Sequence, residues 1–221
     1  LIAHRGFRSV HPENTLQAVE AASEVADGIE IDFRRCKSGE LVVIHDETVD
    51  RVTDGRGAVA DHARDELEAL DVLETGHGVP TLSAILQAIP DHVGVTLDLK
   101  EQETAADALD AIATEHPHAI VSSFSRSILK SCRELDASVP LAYITDEPAP
   151  TGLEIAIDLD CAYLHPSIKA CTDQLVADAH RSGMSVSAWP VTARSETEGL
   201  TALGVDGVIA DRPDVRAESI D

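Results

Sequence analysis

Two carboxylates on either side of one apolar residue are the first feature of this 221-residue sequence that could do chemistry. Glu30 and Asp32 flank Ile31 in the run GIEIDF at 28–33. On a β-strand, the two-residue period directs both carboxylates to the same face. Buried acids need partners, and a hard divalent cation prefers oxygen ligands. The pair indicates a metal site if the strand faces a barrel interior; a solvated acidic face is the alternative.

The run LDLK at 97–100 repeats this alternation. Asp98 and Lys100 share one face of the predicted strand, and the two leucines take the other. Asp98 could therefore supply a third metal ligand. The alternative is a buried structural ion pair, because buried charges generally require partners.

A histidine and an arginine follow the first predicted strand directly, in the motif HRG. Arg5 can bind phosphate oxygens with two parallel hydrogen bonds, and His4 can exchange protons near neutral pH. Gly6 permits a sharp turn of the backbone close to a ligand. The motif therefore favours chemistry at a phosphate group.

A hairpin is predicted to bring a second histidine to the same place. The strand-like run at 41–45 lies too close to 28–33 for a parallel crossover, which needs about a dozen residues or more. An antiparallel return places His45 level with Asp32, so that two histidines could flank a reacting phosphorus as acid and base. The polar stretch 46–79 is predicted to be an insertion that could act as a lid.

Short apolar or β-branched runs alternate with alanine-rich amphipathic segments along the chain. The candidate strands are 1–4, 28–33, 94–100, 119–124, 140–145, 161–166, 185–190 and 207–210. The candidate helices include 14–26, 82–89, 105–115, 125–135, 172–182 and 196–203. This pattern predicts an α/β fold, a (β/α)8 TIM barrel with a β-hairpin extension and a small insertion after strand 2, as one domain over 1–221. A doubly wound open sheet is the alternative.

The net charge of the chain limits the classes of binding partner that are favoured. Forty acidic residues against 17 basic ones give a formal charge of −23, which repels nucleic acids and anionic membranes and leaves small molecules as the favoured partners. The scarcity of lysine and the dispersed acids are typical of halophilic cytoplasmic proteins. Molar salt shortens the Debye length to roughly 3 Å, so the repulsion among the acids is largely screened. An ordinary acidic protein is the alternative. The oligomeric state stays open.

The sequence has no sign of a membrane span or of disulfides. No apolar stretch approaches the ~20 residues that cross a bilayer, and no charged leader with a cleavage site is present. A removed leader stays compatible with a chain that begins at Leu1. Reduced, buried thiols are expected at Cys36, Cys132, Cys161 and Cys171, which show no CxxC spacing.

Several longer stretches together resemble the glycerophosphodiester phosphodiesterases in order and spacing. They are LIAHRGFRSVHPENTLQA, GIEIDFRRCKSGELVVIHDETVDRVTDGRG, VPTLSAIL, LDLK, VSSFS at 121–125, SAWPVT at 187–192 and GVDGVIADRPD at 204–214. HRG alone is a weak motif, whereas HRG with PENT, EID and HD in this register is specific. The resemblance covers nearly the entire chain.

This resemblance implies an active site made of three groups of residues. Glu30, Asp32 and Asp98 would bind one divalent cation, Ca²⁺ or Mg²⁺. His4 and His45 would act as the acid and base, and Arg5 and Lys100 would bind the phosphate. Family members typically have glutamate at the position of Asp98, so the identity of the metal stays open. The Asp-x-Lys pattern is also similar to sphingomyelinase D-type phospholipases, but these lack the PENT segment.

Three further side chains are expected beside the site. Glu13 could orient His4 or Arg5, although helix capping by the neighbouring Asn14 or Thr15 is a sufficient reading of PENT. Phe124 and Trp189 follow later strands and could wall the pocket against the glycerol or the leaving alcohol. For Phe124, a place in the core is the alternative.

The implied activity is metal-dependent hydrolysis of a small-molecule glycerophosphodiester to sn-glycerol 3-phosphate and an alcohol, with the glycerol 2-hydroxyl attacking first. A barrel that binds phosphate or metal without catalysis is one alternative. An isomerase or aldolase-type barrel is another, and Lys100 is the strand-end lysine that could form its Schiff base.

Overall fold

The structure of the protein is a computed structural model that describes residues 1–148 and 150–216. Its strands are β1 Ile2–His4, β2 Gly28–Arg35, β3 Leu41–Val42, β4 Gly94–Leu99, β5 Ile120–Ser123, β6 Leu141–Thr145, β7 Tyr163–Pro166, β8 Ser185–Val191 and β9 Gly207–Ala210. Its α-helices are α1 Leu16–Ser23, α2 Arg64–Glu68, α3 Leu82–Ala88, α4 Ala105–Glu115, α5 Arg126–Leu135, α6 Thr151–Asp158, α7 Asp173–Arg181 and α8 Arg194–Leu203. Short 3-10 turns occupy Val59–Asp61, Gln102–Thr104 and Pro213–Val215.

Eight parallel strands close into a barrel. Strand β1 pairs with both β2 and β9, and the remaining strands pair in the order β2, β4, β5, β6, β7, β8, β9. The predicted (β/α)8 barrel is therefore confirmed, and the open sheet is wrong. The register places His4 beside Glu30 and Asp32 beside Asp98, so that polar residues of three strands meet at one end of the barrel.

The hairpin extension is present but shorter than predicted. Strand β3 pairs antiparallel with the end of β2 through Arg34 with Val42 and Arg35 with Leu41. The chain then turns away, because the Val43 amide donates a hydrogen bond to the Pro80 carbonyl at 2.8 Å. A hydrogen bond from Arg34 Nε to the His45 carbonyl, 2.9 Å long, holds the returning segment beside β2.

The faces of β2 and β4 alternate as their sequences predict. Ile29, Ile31, Phe33, Leu97 and Leu99 are at most 1% exposed and belong to the main hydrophobic core. Full burial of such a side chain contributes about 1.5–3 kcal/mol. This outward apolar face leaves the alternate polar residues inside the barrel.

The insertion packs with the hairpin in a second, small hydrophobic cluster, made of Cys36, Val42, Ile44, Val49, Val52, Val59, Leu67, Val72 and Val79. All four cysteines are free and buried. The prediction of one domain over 1–221, with the insertion at 46–79 inside it, stays a prediction, and Ala149 and 217–221 lie outside the described residues.

Two helices were not predicted from the sequence. Helix α2 is only five residues long, and α6 contains Gly152, which weakens its helical pattern. A Cβ at Gly152 would lie 2.6 Å from Thr145 Oγ1, so the glycine allows α6 to pack closely against β6. Within the described residues, none of the helices combines the length and apolar character that would let it cross a membrane.

Candidate active site

A cavity of about 280 Å³ opens at the carboxyl ends of the barrel strands. It is lined by nine of the residues that the sequence singled out, namely His4, Arg5, Glu30, Asp32, His45, Asp98, Lys100, Phe124 and Trp189. Glu13 lies behind this cavity, against Arg5. A larger groove of about 870 Å³ between α1, α3 and the insertion contains none of these residues.

Three buried carboxylates converge on one side of the cavity. Glu30, Asp32 and Asp98 each place one oxygen within 4.8 Å of the others. Lys100 Nζ lies 2.9 Å from Asp32 Oδ1 and also forms an ion pair with Asp98 Oδ2. The other oxygen of Asp98 is buried and has no hydrogen-bond partner among the described residues.

The surroundings of these acids divide them electrostatically. Burial, together with repulsion from Asp32 and Asp98, raises the pKa of Glu30 well above its usual value. Burial also raises the pKa of Asp98, to about 7, despite the opposing charge of Lys100. For Asp32, burial is outweighed by Lys100 and Arg5, which lower its pKa.

These carboxylates fit a hard divalent cation. Crowded acids in a dry site acquire protons unless another positive charge compensates them. The unpartnered oxygen of Asp98 is a free ligand atom on the cluster, and an all-oxygen donor set suits Ca²⁺ or Mg²⁺. The three acids could therefore hold such an ion.

The loop after β1 fixes Arg5 among acids. Arg5 has a positive φ of 52°, and its amide donates to Glu30 Oε2 at 3.1 Å. Its Nη1 donates to Glu13 Oε1 at 2.9 Å, and its Nε lies 3.0 Å from Asp32 Oδ2 without hydrogen-bond geometry. The glycine of HRG has a φ of 76°, which fits the predicted sharp turn, and it also allows helix α1 to approach, because a Cβ at Gly6 would lie 2.7 Å from the Ala18 Cβ.

His4 and His45, the two histidines predicted to act as acid and base, are each held by an aspartate. Nδ1 of His4 donates to Asp211 Oδ1 at 2.5 Å, and Nδ1 of His45 donates to Asp46 Oδ1 at 2.6 Å. Because a carboxylate only accepts, both rings keep an unprotonated Nε2 when they are neutral. His4 Nε2 lies 3.8 Å from Glu30 Oε2.

Burial is the main influence on both histidines. It lowers the pKa of His4 although the hydrogen bond to Asp211 acts in the opposite direction. It also lowers the pKa of His45, against the opposing effects of Asp32 and Asp46. The neutral rings at neutral pH are suited to accept a proton through Nε2.

Sequence reasoning missed the residues that orient this site. Asp211 and Asp46 stood inside recognised motifs, ADRPD and HD, but nothing along the chain indicated their partners. Asn14 donates through Nδ2 to Asp32 Oδ2 at 3.1 Å, whereas Thr15 caps helix α1. Asn14 has a positive φ of 59°, so the helix cannot begin there as predicted.

Two aromatic residues form part of the cavity wall. Phe124 and Trp189 meet edge to face, with ring centroids 5.3 Å apart. Phe124 is 45% exposed, so the alternative that placed it in the core is wrong. Trp189 Nε1 donates to the His165 carbonyl at 2.8 Å.

His165 was also missed. Its side chain lines the cavity, the residue is 1% exposed, and its Nδ1 has no hydrogen-bond partner among the described residues. Burial lowers the pKa of this histidine to about 4.

The chain is similar in sequence to proteins of one known family. Residues 4–215 match the Glycerophosphoryl diester phosphodiesterase family. A glycerophosphodiester phosphodiesterase of Caldanaerobacter subterraneus subsp. tengcongensis is 31% identical over 230 residues, covering 97% of this chain and 94% of that protein. One from Bacillus altitudinis is 30% identical over 233 residues, covering 97% and 95%.

Solved structures agree. A phosphodiesterase of Oleispira antarctica, in complex with the product sn-glycerol-3-phosphate, has a TM-score of 0.89 at 29% identity and covers 96% of this chain and 92% of its own. The glycerophosphodiester phosphodiesterase of Thermotoga maritima has a TM-score of 0.84 at 25% identity, covering 97% and 95%. These similarities confirm the prediction of a phosphodiesterase enzyme. The chain belongs to the glycerophosphoryl diester phosphodiesterase family.

Proposed function

We propose that this protein hydrolyses glycerophosphodiesters to sn-glycerol 3-phosphate and an alcohol in a reaction that depends on a divalent cation. The observation that carries the proposal is the convergence, in one cavity, of three buried acids and two histidines that are each oriented by an aspartate. The sn-glycerol-3-phosphate bound to the Oleispira antarctica relative supports the choice of substrate.

The cation would be held by Glu30, Asp32 and Asp98, and it is Ca²⁺ or Mg²⁺. When bound, it would supply positive charge to the phosphodiester and act as a Lewis acid. Asp98 is one methylene shorter than the glutamate expected from family resemblance. Its contact with the ion therefore determines whether Ca²⁺ or Mg²⁺ is preferred.

His4 and His45 are the proposed acid and base. One Nε2 accepts the proton of the glycerol 2-hydroxyl as its oxygen attacks phosphorus, and the other imidazole, protonated, donates a proton to the leaving alcohol. Attack by a neighbouring hydroxyl needs no separate positioning of water, which favours a cyclic phosphate that water then opens. Each histidine exchanges its role in the second step.

Arg5 and Lys100 are the proposed phosphate-binding cations, and Phe124 with Trp189 would contact the glycerol or the departing alcohol. Positive groups fixed near the equatorial oxygens stabilise the charge that grows on them. Although burial lowers the pKa of Lys100, Asp98 and Asp32 raise it above its usual value. A permanently protonated lysine is a poor Schiff-base nucleophile, which disfavours the aldolase-type alternative.

The test is turnover of glycerophosphocholine by His4→Ala and His45→Ala, with His92→Ala as the control because His92 is exposed. We expect each site variant to lose about 10²- to 10⁴-fold in kcat, as removal of a general acid or base does. Exhaustive chelation should abolish activity, and Ca²⁺ or Mg²⁺ should restore it. Full activity in both site variants would contradict the mechanism, and binding without product release would favour a non-catalytic barrel.

We also propose a salty cytoplasm as the setting of this enzyme. The formal charge of −23 supports this, because such a surface repels itself in dilute buffer and is screened in concentrated salt. Assays should therefore include molar KCl, and a substrate panel with varied metals will identify the head group.

A further inference from the structure

Arg51 connects the insertion to the active site without entering the cavity. Its Nη1 and Nη2 donate to Glu13 Oε2 and Oε1 at 2.9 and 2.8 Å. Its Nε and Nη2 also donate to Asp46 Oδ2 and Oδ1, at 2.5 and 3.2 Å. One guanidinium therefore binds two carboxylates at once, which its planar, forked set of donors allows.

Each of these carboxylates holds a residue of the proposed machinery. Glu13 Oε1 accepts a hydrogen bond from Arg5 Nη1 at 2.9 Å, and Asp46 Oδ1 accepts one from His45 Nδ1 at 2.6 Å. Arg51 thus lies one residue behind both the phosphate-binding arginine and one of the two proton-transferring histidines. Those two residues come from the β1 loop and from the end of the hairpin, which the sequence keeps far apart.

We propose that Arg51 is a positioning residue through which the insertion fixes Arg5 and His45 in one mutual arrangement. This inference rests on the proposed function for its kinetic consequences. Its geometric part, the fixed orientation of the His45 ring, does not depend on the substrate.

The backbone that carries Arg51 is held on both sides. Val49 and Val52 are at most 4% exposed and belong to the hydrophobic cluster of the insertion. The amide and hydroxyl of Thr53 both donate to the Val49 carbonyl, at 3.0 and 2.8 Å. A side chain that starts from such a fixed turn can transmit position, whereas one on an unsupported loop cannot.

Charge gives Arg51 a second effect on the same groups. Without a cation between them, Glu13 and Asp46 would repel each other and compete for protons. The hydrogen bonds from Arg51 are the main reason that the pKa of Asp46 falls, to about 2, and Asp46 therefore remains an acceptor for His45 Nδ1 throughout the neutral range. Lysine at this position would keep the charge but lose the fork that spans both carboxylates.

The experiment compares Arg51→Gln and Arg51→Lys with Arg64→Gln. Arg64 is a matched control, since it lies in the same insertion, has a similar exposure and, among the residues that the structure describes, forms ion pairs only with Asp65 and Glu68. We expect Arg51→Gln to lower kcat about 10- to 100-fold at an unchanged unfolding midpoint, as loss of an outer orienting contact does. Arg51→Lys should recover part of the loss, and Arg64→Gln should match the wild type.

A double-mutant cycle locates the effect. Because Arg51 acts on His45 through Asp46, Arg51→Gln should cost less kcat in an Asp46→Asn background than in the wild type. Additive losses would show that Arg51 does not act through Asp46 and would overturn this part of the proposal. Should Arg51→Gln fail to fold, the decision passes to Arg51→Lys, for which a wild-type kcat overturns the proposal.

Nitrogen NMR of the His45 ring supplies a readout that needs no substrate. The wild type should show a single tautomer protonated on Nδ1, and Arg51→Gln should show a mixture of both tautomers. If the wild type hydrolyses no glycerophosphodiester but this spectral change occurs, the proposed function fails and the positioning role stands. If the tautomer and kcat are both unchanged in Arg51→Gln, the positioning role fails.

Discussion

The protonation of His165 should lower the free energy of unfolding in mild acid, and a variant without this histidine should show how large the decrease is. The ring is buried without a partner for Nδ1, and its pKa falls to about 4 because burial disfavours the charged form. The unfolded chain instead takes up this proton near the ordinary histidine pKa of about 6.5. Between these values the unfolded state binds more protons, so the free energy of unfolding decreases as the pH falls.

The size of the effect follows from the two pKa values. At pH 7 both states are almost wholly neutral, and His165 contributes nearly no pH dependence. At about pH 5 the unfolded state is protonated while the folded state is not, which costs about 2 kcal/mol of stability. The loss approaches about 3 kcal/mol near pH 4 and then levels off, because both states are charged below that.

Urea unfolding at fixed ionic strength, at pH 7 and pH 5, would measure this for the wild type, His165→Leu and a control, His92→Leu. His92 is exposed, so its replacement should change the free energy of unfolding by the same amount at both pH values. Between the two pH values, His165→Leu should gain about 2 kcal/mol relative to the wild type. An equal difference between wild type and His165→Leu at both pH values would refute the reasoning, because it would mean that His165 titrates alike in the folded and unfolded chains.

Three further predictions concern the site and the surface. Asp211→Asn should lower kcat by about 10²-fold or more while the circular dichroism stays unchanged, since His4 loses the acceptor that selects its tautomer; wild-type kcat would contradict this. Mg²⁺ or Ca²⁺ should stabilise the wild type by about 2.7 kcal/mol at 100 times Kd, measured as a rise in melting temperature. Glu30→Gln should abolish that rise, and an undiminished rise would remove Glu30 from the metal site. The melting temperature should also increase between about 0.1 M and about 2 M KCl, because salt screens the −23 charge; a flat curve would argue against the halophilic setting.

The barrel and its polar end could be predicted because they depend on periodicity along single strands. The alternation of Glu30, Ile31 and Asp32 fixes which side chains face inward before any tertiary contact is known. The hairpin could be predicted from the short spacing before 41–45, although its length could not. Its pairing stops at Val42, since the next amide bonds to Pro80, a partner far along the chain.

The orienting residues could not be predicted, because each depends on a contact between segments that are distant in sequence. Asp211 and His4 stand at opposite ends of the chain and meet only when β1 pairs with β9 and closes the barrel. The role of Arg51 depends on the three-dimensional path of the insertion. That path could not be predicted, because the insertion does not follow the repeating βα pattern of the barrel. Asn14 carried a competing and sufficient local explanation as a helix cap, and this explanation is removed by its positive φ and by Thr15, which caps α1 instead.

One alternation serves both the stability and the chemistry of β2 and β4. Ile31 and Leu97 pack outward into the core, and the same period turns Asp32 and Asp98 side by side into the barrel. A shift of either strand by one residue would bury carboxylates among apolar side chains and expose leucine to the cavity. The hydrophobic core therefore enforces the register that gathers the acids, and the cost of burying those acids is offset by Lys100, Arg5 and Asn14 on neighbouring segments.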